Sequence, residues 1–176
     1  IAPSWNNLSA GTAMTIQTNG NVGVGTTSPS QKLQINVNNN GLNIPLLLRN
    51  ENGTEGGNMV GLGFINEGGG DWAKGAIVHE RQSNFGRGDM HFLVDNTADN
   101  SPITIADAKM TILGGGNIGI GTTAPSSGLH VYGSGPVRIE NNGEADINFV
   151  DASSGQNWQV GTNSNGFYVY DNAYRM

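Results

Sequence analysis

Several polar side chains in the middle of the chain are of the types that bind metal ions or transfer protons. His79 and Glu80 adjoin each other, and Asp89 and His91 are two residues apart, which places that second pair on one face of a strand. No third ligand follows at a fixed spacing, and the H-E-x-x-H pattern of a helical zinc site does not occur. The sequence therefore predicts surface polar residues on separate strands here, and no metal ion.

Hydrolysis of a glycosidic bond needs two carboxyl groups that face each other across the substrate. The candidates for such a pair are Asp71, Glu80, Asp89 and Asp95. Most acidic residues of the chain lie in turn-forming segments, and no G-x-S-x-G elbow marks a serine nucleophile. We therefore predict a protein that is not an enzyme, with a glycan depolymerase as the minority alternative.

The segment GGGNIG at 114–119 formally matches the G-x-G-x-x-G pattern of dinucleotide-binding proteins. Such a site needs a helix that begins directly after the glycines and points its backbone N–H groups at the phosphates. The chain instead continues as IGIGTTAP from residue 118, which predicts a strand ended by a proline. We predict no nucleotide site and no other cofactor.

The composition excludes several further classes of function. A net charge of −6 with only eight lysines and arginines argues against a basic groove for nucleic acid. No apolar run reaches the roughly 18 residues of a membrane-spanning helix, so we predict no membrane insertion. The absence of cysteine removes disulfides and thiolate sites. The 28 glycines, without a sustained helical period, predict an all-β chain of short strands and tight turns.

The clearest pattern is an internal repeat, in which AMTIQTNGNVGVGTTSPSQKLQI at 13–35 matches KMTILGGGNIGIGTTAPSSGLHV at 109–131 without a gap. Asn19-Gly20 predicts a hairpin with a two-residue turn. The β-branched face of each copy needs a core, whereas the glycine face allows another backbone to approach closely. This pattern fits an intertwined neck, to which each chain lends strands, and equally a pair of hairpins in a monomeric sandwich. The residues concerned are Val22, Gly23, Val24, Gly25 and Pro29, repeated as Ile118, Gly119, Ile120, Gly121 and Pro125.

The segments GNVGVGTTSPSQKLQI and GNIGIGTTAPSSGLHV resemble the neck motif of phage tail fibres and of bacterial trimeric fibre adhesins of the mosaic type. In those proteins the motif often precedes an intramolecular chaperone of the endosialidase type. The resemblance implies a parallel homotrimer with intertwined β necks and small antiparallel β-sandwich or roll head modules. It also implies an extracellular place, on a virion tail fibre or a bacterial surface.

The repeat divides the chain into a neck at 1–37, a head at 38–108, a second neck at 109–131 and a shorter head at 132–176. The strands predicted in the heads are 44–50, 59–66, 74–81, 89–95 and 102–106 in the first, and 136–141, 145–151, 157–162 and 166–171 in the second. Because the chain begins at Ile1 and stops where a further neck would begin, we expect it to be part of a longer protein.

The segment 79–89 of the first head is predicted to contain an insertion of about ten residues relative to the second head, and insertions on a fixed scaffold often carry binding sites. Aromatic rings accept the apolar faces of sugars, and amide or guanidinium groups bond the hydroxyls. The candidate glycan-binding residues are Arg81, Asn84, Phe85, Arg87, Asp89 and His91, with Trp72 nearby. The leading prediction is adhesion to bacterial surface polysaccharide or another cell-envelope glycan through several weak sites. A purely structural fibre spacer is the alternative.

Overall fold

The computed structural model describes residues 14–38, 40–52, 56–66, 72–140, 145–151, 156–163 and 166–171. Within these ranges the regular structure consists of twelve strands and two single-turn 3-10 segments, which confirms the all-β prediction. The chain forms two compact units, Ile1–Asp107 and Ala108–Met176. In the described ranges, no helix has the length and apolar character needed to cross a membrane.

The first sheet of the N-terminal unit is the neck sheet, made of β1 (Met14–Ile16), β2 (Val22–Val24) and β3 (Leu33–Ile35). Strands β1 and β2 pair antiparallel, whereas β2 and β3 pair parallel. Parallel neighbours usually need a crossover of a dozen or more residues. Here residues 25–32 suffice, because the strands are so short.

The turn between β1 and β2 differs from the predicted two-residue turn. The Gln17 N–H donates to the carbonyl of Asn21 at 2.9 Å, and the Gly20 N–H donates to the carbonyl of Gln17 at 2.9 Å. Gly20 has φ +82°. These bonds define a three-residue loop that closes with a left-handed glycine, a common hairpin geometry in which Asn19 precedes the positive-φ position.

The second sheet of the N-terminal unit is the head sheet, an antiparallel meander of β4 (Asn58–Phe64), β5 (Gly75–Arg81) and β6 (Gly88–Val94). Strand alternation gives it one buried and one exposed face. The buried face carries Ala76 and Leu93, which are the only buried hydrophobic side chains in the described part of the chain. The hydrophobic core formed by the described residues is therefore very small.

The C-terminal unit repeats this plan. Strands β7 (Ala108–Ile112), β8 (Ile118–Ile120) and β9 (Leu129–Val131) form a second neck sheet with the same antiparallel and parallel pairings. Strands β10 (Ala145–Asp151), β11 (Gln156–Asn163) and β12 (Gly166–Asp171) form a second antiparallel meander. The repeat in the sequence is therefore a repeat of local structure.

Three predicted strands do not form. Residues 44–50 and 136–140 have no strand structure, and residue 141 lies outside the described residues. The apolar residues of both segments are of types that favour strands. A strand also requires a neighbouring strand that pairs with its backbone. Leu47 is 75% exposed, so this segment is not packed within the chain.

The third wrong prediction is the strand at 102–106, where the chain instead enters a 3-10 turn at Ile105–Asp107. Both the backbone N–H and the Oγ1 of Thr104 donate to Asp107 Oδ2, at 2.9 and 3.0 Å. The Asp107 N–H in turn donates to the carbonyl of Thr104 at 3.0 Å. These local bonds give the backbone an alternative to a sheet ladder.

Candidate functional site

The hairpin between β5 and β6 carries most of the predicted glycan-binding residues. Residues 79–81 and 88–89 belong to the two strands, so the loop itself is 82–87 and is shorter than predicted. The N–H groups of Gln82 and Ser83 both donate to the carbonyl of Arg87, at 2.9 and 3.1 Å. These two hydrogen bonds close the loop and hold the 3-10 turn at Asn84–Gly86 in place.

Phe85 lies at the tip of this loop with 99% of its side chain exposed. Its backbone is left-handed, with φ 62° and ψ 24°, and it is the one non-glycine residue with positive φ in the described ranges. A bulky residue in this region costs on the order of 1–3 kcal/mol and persists where its surroundings impose it. The loop therefore holds an aromatic ring in solvent at an energetic cost.

Polar groups lie next to Phe85 in the same turn. Asn84 and Arg87 are both exposed, and the Arg87 Nε is 3.5 Å from the carbonyl of Asn84. Arg81 is half-buried, and its Nε donates to the carbonyl of Ser83 at 3.0 Å. The loop thus presents a flat ring beside an amide and a guanidinium group.

Trp72 is half-buried and belongs to the segment that precedes β5. Its inclusion among the glycan-binding residues stays a prediction.

His91 is not at the surface, so its predicted role as a glycan contact is wrong. It is 1% exposed, because alternation along β6 places it on the buried face with Leu93. The four polar residues do lie on two separate strands, as predicted, but His91 is buried and three of them lie close together. Asp89 lies directly opposite Glu80, and His91 Nε2 is 3.3 Å from Glu80 Oε2.

The structure thus brings together three of the four residues that the sequence offered as metal ligands. The ligand atoms of Glu80, Asp89 and His91 all lie within 4.8 Å of one another. His79 is excluded from this group because it neighbours Glu80 on β5 and therefore faces the other side of the sheet. The missing signal was strand register: pairing Arg81 with Gly88 places Glu80 opposite Asp89.

The other proposed carboxylates have different surroundings. Lys74 Nζ is bonded to Asp95 Oδ2 at 2.6 Å, to Asp99 Oδ1 at 2.9 Å and to the carbonyl of Ser101 at 3.0 Å. The hydrogen bond from Lys74 lowers the pKa of Asp95 to about 2, with help from the N–H of Thr97, and the same bonds raise the pKa of Lys74. Asp95 is therefore paired with a lysine in an ion pair. Asp71, the remaining candidate carboxylate, lies outside the described residues.

An open cleft of about 400 Å³ lies beside this ion pair, lined by Lys74 and residues 97–100. No motif predicts this cleft, since the lysine and the two aspartates are far apart along the chain. All the hydrogen-bonding capacity of the Lys74 ammonium is used by the three oxygens named above. The ion pair consequently fixes the 95–101 loop.

The neck glycines have a close neighbour, but it belongs to the same chain. A Cβ added at Gly23 would lie 2.7 Å from the carbonyl oxygen of Thr26 and 3.3 Å from Pro29 Cδ. In the second neck, Gly119 meets Thr122 and Pro125 in the same way. A backbone thus approaches the glycine face closely, as predicted, and it is that of the chain's own T-T-x-P loop; the intertwined neck stays a prediction.

Gly25 and Gly121 are required for a second reason. They have φ +71° and +74°, and an added Cβ would collide with the carbonyl of Asn36 or of Tyr132. Those two residues donate their N–H groups back to β2 and β8, each at 2.8 Å. The residue that follows β3 or β9 therefore extends the parallel pairing by one hydrogen bond and lies directly against the glycine.

The opposite face of each neck sheet is apolar and exposed. In the first neck it carries Ile16, 65% exposed, in register with Val22, which is in turn beside Leu33. The further exposed members of these two faces are Met14 and Val24, and, in the second neck, Ile120, Leu129 and Val131. Neighbouring strands of each neck therefore leave their apolar side chains in contact with solvent.

The head sheet also has an exposed apolar face, opposite the one that carries His91. Leu62, Ile77 and Phe92 lie side by side across β4, β5 and β6, and Phe64 (57% exposed) and Val94 extend the row. In the C-terminal meander the exposed apolar residues are Ile147, Phe149, Phe167 and Val169. Each neck and each meander therefore leaves an apolar face uncovered among the residues that the structure describes.

A comparison with protein-family models finds no match to this chain, and a comparison with curated proteins finds none either. The interpretation of the loop and of the apolar faces accordingly depends on their own geometry and chemistry.

Proposed function

We propose that this chain is a module of a parallel homotrimeric fibre that adheres to bacterial surface glycans through the loop at 82–87. The observation that carries adhesion is Phe85, a fully exposed aromatic ring held in a left-handed backbone. The neck resemblance supports the fibre, and the uncovered apolar faces support the assembly.

Copies of the same chain are the occupants that best fit the apolar faces. Both necks expose apolar residues at corresponding positions, such as Leu33 and Leu129, and symmetric assembly brings identical faces together at one axis. Full burial of one such side chain stabilises by about 1.5–3 kcal/mol. An assembly would therefore supply the core that Ala76 and Leu93 alone cannot provide in the described chain.

The segments that lack strand structure support intertwining. Residues 42–48 are rich in exposed apolar side chains, and no strand includes them. We propose that they pair with a neighbouring copy, which would complete the heads as β-sandwich or roll modules. Their β-prone sequence would then have the neighbour that a single chain does not offer.

Adhesion would use the ring of Phe85 as a platform for the C–H face of a sugar, with Asn84 and Arg87 bonding its hydroxyl groups. A single exposed platform of this size binds weakly. Three copies on one fibre, and several fibres on one particle, would raise the overall affinity without a further contact.

The mass of the chain in solution, measured by light scattering, tests the assembly. We expect the mass of three chains, and Ile16→Asp should lower it because a carboxylate cannot be buried in the apolar face. Thr18→Asp, in the exposed turn of the same neck, is the matched control and should keep the trimer. A wild-type mass equal to one chain would overturn the assembly.

Binding to an array of bacterial surface polysaccharides, followed by attachment to the cells that supply the bound ones, tests adhesion. Phe85→Ala should lose binding, and Phe85→Leu should lose most of it, because leucine keeps apolar volume without a flat ring. Both variants must retain the wild-type mass. Unchanged attachment by both would favour the structural spacer, and release of reducing ends would favour a depolymerase.

A further inference from the structure

We propose that Glu80, Asp89 and His91 form a binding site for one divalent transition-metal ion, of which Zn²⁺ is the representative. The site lies on the buried face of the head sheet, at the ends of β5 and β6 from which the 82–87 loop emerges. The inference does not depend on the proposed adhesive function, since metal binding is measured on the chain alone.

The backbone fixes where the three side chains start. Glu80 and Asp89 are register partners on adjacent antiparallel strands, so their Cβ atoms are about 4.5–5.5 Å apart. His91 follows Asp89 by two residues and therefore projects from the same face. Three potential ligands on two paired strands need no loop rearrangement to meet.

The distances allow a common ion after small side-chain movements. The ligand atoms lie within 4.8 Å of one another, and His91 Nε2 is already 3.3 Å from Glu80 Oε2. Ligands bound tetrahedrally to zinc at about 2.1 Å are about 3.4 Å apart. Rotation of the carboxylates, which are only half-buried, can supply the difference.

The donor set and its charge select the class of ion. Two carboxylates directly opposite each other repel, and a divalent cation between them removes that repulsion. Imidazole nitrogen favours zinc and its neighbours over calcium or magnesium, which prefer oxygen ligands alone. Three protein ligands leave one tetrahedral position for water.

The position of the imidazole supports a specific site over a chance surface cluster. His91 is 1% exposed, so its ring cannot turn away into solvent, and its Nε2 is directed at the glutamate. A buried donor atom with a fixed direction costs little conformational entropy on binding. An ion here would tie β5 to β6 at the base of the loop that carries Phe85.

Isothermal titration of the tag-free full chain with zinc chloride tests the site directly. We expect one Zn²⁺ per chain, no comparable binding of Ca²⁺ or Mg²⁺, and visible d–d absorption bands from bound Co²⁺. At a hundredfold excess over the dissociation constant, Zn²⁺ should raise the melting midpoint by about 5 °C or more.

The variants Glu80→Gln and Asp89→Asn keep size and hydrogen-bonding capacity while removing the charged ligand, and each should weaken Zn²⁺ binding by about tenfold or more. His79→Gln is the matched control, because it removes a histidine from the other face of the same strand. His91→Gln tests the third ligand, with the carboxylate variants still decisive if it fails to fold.

Failure of the wild-type chain to bind Zn²⁺ would overturn the proposal and leave Glu80 and His91 as a close pair of side chains without an ion. Undiminished binding by both carboxylate variants would do so as well, and so would loss of binding in His79→Gln.

Discussion

The side-chain amide of Asn117 donates a hydrogen bond to the carbonyl oxygen of Pro125 at 3.2 Å, and Asn21 makes the same bond to Pro29 at 3.1 Å. This bond ties the start of the middle neck strand to the proline that covers it. A single asparagine therefore links two parts of the motif that are eight positions apart.

Replacing this asparagine tests how much the bond contributes to the neck. We expect Asn117→Ala to lower the free energy of unfolding by about 1–3 kcal/mol, since it leaves a half-buried carbonyl without its donor. Urea denaturation followed by circular dichroism measures the change. Asn96→Ala, at an exposed loop position, is the control. Equal stability of the two variants would contradict the structural role of the bond.

The neck glycine that the proline covers should tolerate no side chain. We expect Gly119→Ala to lower the free energy of unfolding by about 1–3 kcal/mol or more, because a Cβ would collide with the backbone of Thr122. Gly115→Ala is the matched control, since nothing lies within 4 Å of a Cβ at that turn position and its φ is not left-handed. If thermal unfolding finds the two variants alike, the loop does not pack on the strand.

The Lys74–Asp95 ion pair makes the free energy of unfolding depend on pH. The pKa of Asp95 is lowered to about 2 in the folded chain, so its contribution to stability is complete above about pH 4 and is lost as the pH falls towards 2. The raised pKa of Lys74 has its effect at alkaline pH. The contribution of Lys74 to stability is lost as the pH rises above the usual lysine pKa of 10.5.

We expect Asp95→Asn to be less stable than the wild type at pH 6 and to approach it near pH 2. Melting temperatures measured between pH 2 and 6 follow this difference. Glu140→Gln, which breaks an exposed ion pair with Arg138, is the control for the general effect of charge. A difference between Asp95→Asn and the wild type that stays constant across this range would show that the pair does not titrate as described.

The backbone of Phe85 predicts opposite effects on stability and on binding. Asparagine adopts the left-handed region more readily than other side chains with a Cβ, so Phe85→Asn should raise the free energy of unfolding by about 0.5–1 kcal/mol. The same variant should lose binding to surface polysaccharide. Phe85→Ala serves for comparison, because it also removes the ring but adopts the left-handed backbone less readily than asparagine, so its free energy of unfolding should rise less.

The necks and the paired head strands could be predicted from the sequence, because alternation of apolar residues and glycine acts over a few residues. The strand predicted at 145–151 agrees with the observed bounds for this reason. Residues 44–50 could not be assigned correctly, because whether β-prone residues pair depends on a neighbour that a pattern does not contain. Residues 102–106 were misassigned because Thr104 and Asp107 bond each other locally.

In the candidate sites, too, residue types could be predicted from the sequence, whereas backbone conformation, burial and register could not. Phe85 was recognised by its type and its loop, but its left-handed backbone and full exposure needed the structure. His91 was assigned to the surface because alternation along β6 defines two faces without saying which one is buried. The Glu80–Asp89 pairing depends on the register across a hairpin, which a pattern of residue types does not define.

The four crowded neck glycines have a consequence for mutation. Every amino-acid replacement at Gly23, Gly25, Gly119 or Gly121 adds a Cβ, and each such atom meets backbone of the same chain. At the loop tip, the Phe85 side chain is 99% exposed and packs against nothing that a replacement would disturb, whereas Gly86 has open space around it but a φ of +70° that disfavours any other residue. Under the proposed function, selection would purge change from the shaft and permit it at the hairpin tip. Receptor preference could then drift between lineages while the shaft stayed the same.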